Sequence, residues 1–461
     1  MNATQADTIV ALSTPPGEGG MAVVRISGPE AVSIVHKVFQ GSKNKKAGAS
    51  HQAVHGWIVD GKEPVDEVVV TVFRSPKSYT GEDVVEVSCH GGLYISSRLI
   101  DLIVSAGARP ARPGEFTQRA FLNAKMDLAQ AEAVADVIHA RTEASRRVAV
   151  YQLEGRLSEK LNTMRERLVS FCSLLEIELD FSEEDIAFAS RKDLKKHLSS
   201  IQQELDHLIE SYDRGRICRE GIHMVIAGRP NVGKSSLLNA LVERERAIVT
   251  EIPGTTRDTI EDVLDIEGLL FRITDTAGIR ETDDPLEKEG IRRMEKALSE
   301  AALILLVCDA SEPLLSDDFA LFKKIQLLNK PVVVVLNKSD LKKRTGCDEI
   351  RKEKIGRSCL HVSALKREGI DTLIDVLQKE ALSDGVPHEG DVLLTRARHR
   401  DSLVRTILFL KKAEASLKKN MSQEFIAADL RGAMDALGEV TGQTTTEDIL
   451  EAIFSTFCIG K

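Results

Sequence analysis

The stretch 223–242 constrains this chain more than any other. An apolar run, His223-Met-Val-Ile-Ala227, leads into a glycine-bounded polar loop and then into Ser236-Leu-Leu-Asn-Ala-Leu-Val242, the order strand, loop, helix. The loop, Gly228-Arg-Pro-Asn-Val-Gly-Lys-Ser235, fits G-x-x-x-x-G-K-[ST], the phosphate-binding loop. Such a loop works at a strand-to-helix turn, so it commits this part of the chain to an α/β fold. Backbone N–H groups along Asn231, Val232, Gly233, Lys234, Ser235 and Ser236 wrap the phosphates, and the helix dipole adds to the attraction. The Lys234 ammonium reaches the terminal phosphates and the Ser235 hydroxyl ligates magnesium.

Further stretches follow in the order a guanine-nucleotide switch requires. Thr250-Glu251-Ile252-Pro253-Gly254-Thr255-Thr256 is a Gly/Pro-punctuated loop, and the Thr256 hydroxyl is the candidate to complete the magnesium shell when a γ-phosphate is present. The apolar run Leu270–Ile273 ends in Asp275-Thr276-Ala277-Gly278; Asp275 would hold magnesium through water and the Gly278 amide would sense the γ-phosphate. The run Val332–Leu336 reads as a buried strand that delivers Asn337-Lys338-Ser339-Asp340 at its carboxyl end, where open α/β sheets bind ligands. Asp340 would read the base: a carboxylate accepts both N–H donors of the guanine edge, whereas adenine offers an acceptor there. Ser363-Ala364-Leu365, after an expected strand at Leu360–Val362, can close over the base. A worn loop kept as a scaffold is the bland alternative, but every chemically needed residue type is present.

The hydrolytic step leaves alternatives open. Many small GTPases orient the attacking water with a glutamine just after D-x-x-G, but Ile279, Arg280 and Glu281 stand here. Either one of Glu281, Asp283, Asp284, Glu287 and Glu289 positions the water, or the segment is a charged switch loop with no catalytic member. Charge developing between the phosphates wants an arginine, with Arg257 and Arg280 as candidates, or a monovalent cation held by Asn231 and carbonyls of the 250–255 loop.

The 461 residues suffice for three domains, and 42% hydrophobic residues supply several cores. β-Rich runs at Thr8–Leu12, Ala22–Ile26, Val68–Phe73 and Val84–Ser88, with helical stretches near 29–38 and 93–106, predict a small domain over 1–118. Helical texture fills 119–215, split by the acidic Asp180–Asp185, and resumes over 381–461; neither half reads as a complete bundle. One helical domain made from both halves is expected, with the nucleotide domain, 216–380, inserted at its tip. A net charge of −9 repels a phosphate backbone, so nucleic-acid contact has to be local. Candidate patches are Arg141, Arg146 and Arg147; Arg396, Arg398 and Arg400; and Lys411, Lys412, Lys418 and Lys419. No Lys or Arg precedes Arg25, no run approaches membrane-spanning length, and the 7 cysteines include no C-x-x-C pair. The expectation is a cytoplasmic chain without signal segment, membrane contact or structural metal, its thiols unpaired.

End to end, the chain resembles the MnmE (TrmE) family of tRNA-modification GTPases. The resemblance rests on Thr-Pro-Pro-Gly-Glu-Gly-Gly (14–20), Ser-Tyr-Thr-Gly-Glu-Asp (78–83), Arg-Pro-Gly-Glu-Phe (112–116), Gly-Thr-Thr-Arg-Asp (254–258) and the terminal Phe-Cys-Ile-Gly-Lys (457–461). It implies a multidomain α/β plus α protein: an N-terminal α+β tetrahydrofolate-binding domain that dimerises, a discontinuous helical domain, and an inserted P-loop Ras-like G domain. It also implies a function. With the flavoprotein GidA (MnmG), in a heterotetramer built on a homodimer, such a GTP-hydrolysing subunit adds an aminomethyl or carboxymethylaminomethyl group at C5 of the wobble uridine, position 34, of certain tRNAs. Carried over residue by residue, potassium falls to Asn231, Thr250, Ile252 and Thr255, and magnesium to Ser235 and Thr256. The water-organising acid corresponds to Glu287, acting with Lys234 and Gly278. A 5-formyl- or 5,10-methylene-tetrahydrofolate falls to Arg25, Glu86, Lys125 and Lys461. The apolar run Ile453–Phe457 is expected to dock the tail, with Gly460 bending Lys461 inward and Cys458 either a nucleophile or a packing residue. A ribosome-assembly GTPase of the Era/Der type is the alternative, but it needs an RNA module with a KH-like Gly-x-x-Gly loop that the tail lacks. A membrane-remodelling GTPase needs an amphipathic anchor, also missing.

Overall fold

A computed structural model of the chain describes residues 7–42, 48–180, 191–244, 246–247, 261–275, 294–356, 358–382, 390–419 and 421–461. They fall into two compact units.

The first unit draws on the described residues within Met1–Ala135, Gln152–Leu198 and Arg405–Lys461. Its sheet contains β1 (Ile9–Leu12), β2 (Gly19–Ser27), β3 (Phe39–Gly41), β4 (Gln52–Asp60), β5 (Glu63–Phe73), β6 (Val84–Gly91) and β7 (Arg109–Pro110), in the order β3-β4-β5-β6-β2-β1-β7. Successive side chains of a strand point to opposite faces, so Val68, Val70 and Val72 of β5 and Val85 and Val87 of β6 bury together. The helices Ala31–Val38 and Leu93–Ser105 cover that face with Ile34, Val35, Leu99 and Ile103. The sequence reading missed β4, and the reason is visible: only Gly56 and Ile58 are buried along it, so it lacks the β-branched run that marks an inner strand. In the same unit the helix Arg156–Asp180 packs along Gln423–Thr441, with Arg431 paired to Glu176.

The second unit draws on the described residues within Asp136–Tyr151 and Ser199–Val404. Its strands are β8 (Ile222–Ala227), β9 (Arg246–Ala247), β10 (Glu261–Ile266), β11 (Leu269–Asp275), β12 (Leu303–Asp309), β13 (Val332–Asn337) and β14 (Ser358–His361), in the order β14-β13-β12-β8-β11-β10-β9. The run from β14 to β11 is parallel, while β10 is antiparallel to both its neighbours. Every residue of β12 and β13 is buried, the pattern of a sheet covered on both faces. Leu237, Leu238 and Leu241 of the helix Lys234–Arg244 share one core with Leu373, Ile374 and Leu377 of the helix Ile370–Ala381. Phe322 and Ile325 of the helix Ser316–Leu327 belong to the core on the other face. Cys347 and Cys359 form a disulfide, with Cα atoms 5.7 Å apart. This corrects the expectation of unpaired thiols: spacing along the chain did not reveal that the helix Cys347–Lys352 lies beside β14. Among the described residues no helix is long and apolar enough to cross a membrane.

Candidate functional site

The phosphate loop sits where the motif demands, between the buried end of β8 and the helix Lys234–Arg244. Asn231 adopts φ +63° and Gly233 φ +93°. A Cβ on Gly233 would stand 2.3 Å from Asn337 Nδ2, so only glycine lets the loop approach that side chain. Lys234 is 6% exposed, and its ammonium donates to the Gly228 and Arg229 carbonyls, both at 2.8 Å. It is therefore held inside the curve of the loop, while Ser235 and Ser236 are exposed at the start of the helix. A strand-to-helix cradle with this cation and these hydroxyls fits a nucleoside triphosphate with its magnesium.

The residues expected to read the base gather at the carboxyl ends of β13 and β14. Asn337, 2% exposed, donates from Nδ2 to Val232 O at 2.9 Å and accepts at Oδ1 from the Ala364 amide at 3.0 Å. One side chain thus ties the phosphate loop to the Ser363-Ala364-Leu365 turn. The Ser363 hydroxyl donates to Asp340 Oδ1 at 2.6 Å and holds that carboxyl below its usual range, so Asp340 is presented ionised and oriented. Ala364 is buried and Leu365 lies exposed at the rim. Two partners escaped the sequence reading. Asp309, at the end of β12, receives the Lys338 ammonium at 2.6 Å. Burial pushes Asp309 up, yet Lys338 and Ser311 outweigh it and hold the carboxyl low. Arg229 of the phosphate loop donates to Asp318 at 2.8 Å. Asp309 had a signal, a lone charge closing the buried run Leu303–Cys308; Asp318 had none.

In the first unit Arg25 and Glu86 face each other in the antiparallel β2–β6 register, and Arg25 Nε donates to Glu86 Oε1 at 2.9 Å. The guanidinium stands 5.1 Å from the Tyr79 ring centroid and 5.8 Å from that of Phe116. The chain terminus arrives at the same place. Phe454 and Phe457 bury in a cluster with Leu128 and Ala131, and the Gly460 carbonyl accepts from Ser13 Oγ at 3.2 Å and Arg25 Nη1 at 3.4 Å. Gly460 holds φ +98°, and a Cβ there would lie 2.1 Å from Leu12 O. Lys461 follows, its ammonium 6.0 Å from the Tyr79 centroid. Burial lowers its pKa and Arg25 adds to this, against the pull of Glu86. Arg25, Glu86 and Lys461 are thereby brought together, while Lys125 donates to the Pro76 carbonyl at 3.0 Å on the exposed surface. Cys458 is exposed and its carbonyl accepts from the Gly114 amide. A carboxylate, two cations and an aromatic plane fit a pterin with an acidic tail.

Beside this cluster the Arg-Pro-Gly-Glu-Phe segment has a structural duty that its residues did not announce. Glu115, fully buried, accepts from Arg109, Arg119 and the Arg112 amide, and Arg119, also fully buried, reaches Asp7 and Glu82. Within the basic patches Arg396 pairs with Asp136 in a partly buried contact, while Arg146 pairs with Glu143, Arg400 with Asp401 and Lys418 with Glu414 at the surface. Thr250, Glu251, Ile252, Pro253, Gly254, Thr255, Thr256, Arg257, Thr276, Ala277, Gly278, Arg280 and Glu287 lie outside the described residues. For Asp275 only the backbone, which ends β11, is described.

Comparison with known proteins places the whole chain. A family profile described as the MnmE helical domain matches residues 128–458, and one described as GTP-binding protein TrmE N-terminus matches residues 8–125. The tRNA modification GTPase MnmE of Natranaerobius thermophilus is 44% identical over 457 residues, covering 99% of each chain. That of Geobacter sulfurreducens is 45% identical over 458 residues, with 99% of each chain covered. That of Clostridioides difficile is 40% identical over 457 residues, again with 99% of both chains covered. With relatives matched along nearly their full length and two family profiles spanning most of its residues, this chain belongs to the MnmE family of tRNA modification GTPases.

Proposed function

We propose that the chain hydrolyses GTP as the switching subunit of a cytoplasmic tRNA-modifying complex. The observation that carries this is Asn337, which joins the phosphate loop at Val232 to the turn at Ala364, where the neighbouring Ser363 hydroxyl orients Asp340. In this reading Lys234 moves from the Gly228 and Arg229 carbonyls onto the terminal phosphates, and Ser235 and Thr256 hold magnesium. Magnesium, when bound, neutralises charge on the phosphate oxygens. Asn231, Thr250, Ile252 and Thr255 hold potassium, and Glu287 orients the attacking water while the Gly278 amide senses the γ-phosphate.

The domain plan follows the same reading: 1–118 binds folate and pairs two chains, 119–215 and 381–461 form the helical domain, and 216–380 is the G domain between them. Arg25, Glu86, Lys125 and Lys461 hold a 5-formyl- or 5,10-methylene-tetrahydrofolate. The cluster suits it because Glu86 can accept from pterin N–H groups while the cations meet the glutamyl carboxylates. With GidA (MnmG), the complex builds the aminomethyl-type substituent on C5 of the wobble uridine of certain tRNAs. The test uses purified full-length chain mixed with cell extract. Potassium-stimulated GTP turnover and capture of a flavin-containing protein support the proposal; turnover of ATP in place of GTP, or no flavoprotein, refutes it.

A further inference from the structure

We infer that Asp309 is a positioning residue for guanine recognition: it pins the Lys338 ammonium so that the lysine stem forms a fixed apolar platform beside Asp340. The inference rests on reading this edge of the sheet as a guanine-nucleotide site. Asp309 ends β12 and lies in register with Asn337, the last residue of β13, and the following amide, Ala310 N, donates to Asn337 O at 2.8 Å. The carboxylate is itself immobilised. Oδ1 accepts from the Ser311 amide at 2.8 Å and the Ser311 hydroxyl at 2.6 Å, and the Lys338 ammonium stands 2.6 Å from Oδ2. Lys338 adopts φ +61° just past the end of β13, and its ammonium is held by Asp309.

A free ammonium beside a triphosphate would be drawn to the phosphates, where it would compete with Lys234. The structure separates the two cations. Lys234 is held on carbonyls inside the phosphate loop, and Lys338 is held on an anion that is only 5% exposed, at the carboxyl end of the inner strand β12. With its charge anchored, the methylene stem of Lys338 presents apolar surface at fixed position, two residues before the carboxylate that reads the base edge. Ordering this platform before the base arrives spares the nucleotide the entropy of immobilising a flexible side chain.

The test is a double-mutant cycle on release of a fluorescent ribose-labelled GDP, followed by stopped flow on the full chain. Asp309→Asn keeps the shape and the Ser311 contacts but removes the charge; Lys338→Met keeps the stem and removes the ammonium. Each single change should speed release about tenfold, and the double variant should release no faster than Lys338→Met alone. Losses that multiply in the double variant, or wild-type release from Asp309→Asn, overturn the inference. Asp309→Glu is the second variant. It retains charge but pushes the ammonium outward, so release should speed severalfold with the fold intact, and wild-type release again overturns the assignment. Wild-type protein that retains no labelled GDP overturns the guanine-site reading itself, which distinguishes the two failures.

Discussion

Replacing Glu115 with glutamine is expected to destabilise the first unit in a strongly pH-dependent way. The Glu115 side chain is fully buried. Burial alone would raise its pKa, but Arg109, the Arg112 amide and Arg119 reverse this and hold it at about 2, against 4.5 for an ordinary glutamate. A carboxyl depressed in the folded state contributes stability above its unfolded pKa and loses it as pH falls toward its folded pKa. The full contribution, present at neutral pH, is about 3 kcal/mol, at roughly 1.4 kcal/mol for each tenfold change in proton affinity between the unfolded and folded chain. Between the two pKa values it decays, so about 2 kcal/mol is gone by pH 3. Glu115→Gln keeps the shape and removes the charge. Urea unfolding followed by tryptophan fluorescence isolates the effect, because the single tryptophan, Trp57, lies in β4 of the same unit. Wild type should exceed the variant by about 3 kcal/mol at pH 7 and by about 1 kcal/mol at pH 3. An equal gap at both pH values would refute the reasoning.

Asp340→Asn exchanges an acceptor for a donor against the guanine edge and should weaken GTP roughly a hundredfold while improving xanthosine triphosphate; competition binding with both nucleotides decides, and unchanged GTP affinity contradicts the assignment. Gly460→Ala puts a Cβ 2.1 Å from Leu12 O at φ +98°, so the tail must leave its seat and carry Lys461 with it. Calorimetry with a reduced folate should then show affinity lower by about tenfold with GTP binding intact, and equal affinity would detach the tail from the pocket. Glu287→Ala should bind GTP normally yet turn over at least about a hundredfold more slowly. Wild-type turnover should fall when potassium is replaced by sodium at equal ionic strength, and equal rates would hand charge neutralisation to an arginine.

Local chemistry was legible and long-range pairing was not. Lys234, Asn337, Asp340 and Ser363 announce themselves because each is bound to a short motif at a strand end, and β8, β13 and β14 lie within a residue or two of the expected runs. Asp309 belongs to no such motif; its meaning depends on β12 lying beside β13, which only the assembled sheet reveals. Arg25 and Glu86 are 61 positions apart, and their contact requires the β2–β6 register rather than either strand alone. Resemblance supplied those two residues, whereas Glu115 and Arg119 were passed over because buried ion pairs look like surface charge in a sequence. The docked tail was partly legible, since an apolar run at a chain end has to bury against something, as Phe454 and Phe457 do.

The coupling of the GTP site to tRNA chemistry is tested most directly by mass spectrometry of tRNA nucleosides from a strain lacking this chain. The strain is complemented with wild type or with Lys234→Ala, which loses the ammonium of the phosphate loop. Loss of the wobble-uridine C5 substituent in the deletion strain, restored by wild type but not by Lys234→Ala, is the expected result. Full modification in the deletion strain, or equal restoration by both proteins, would contradict it.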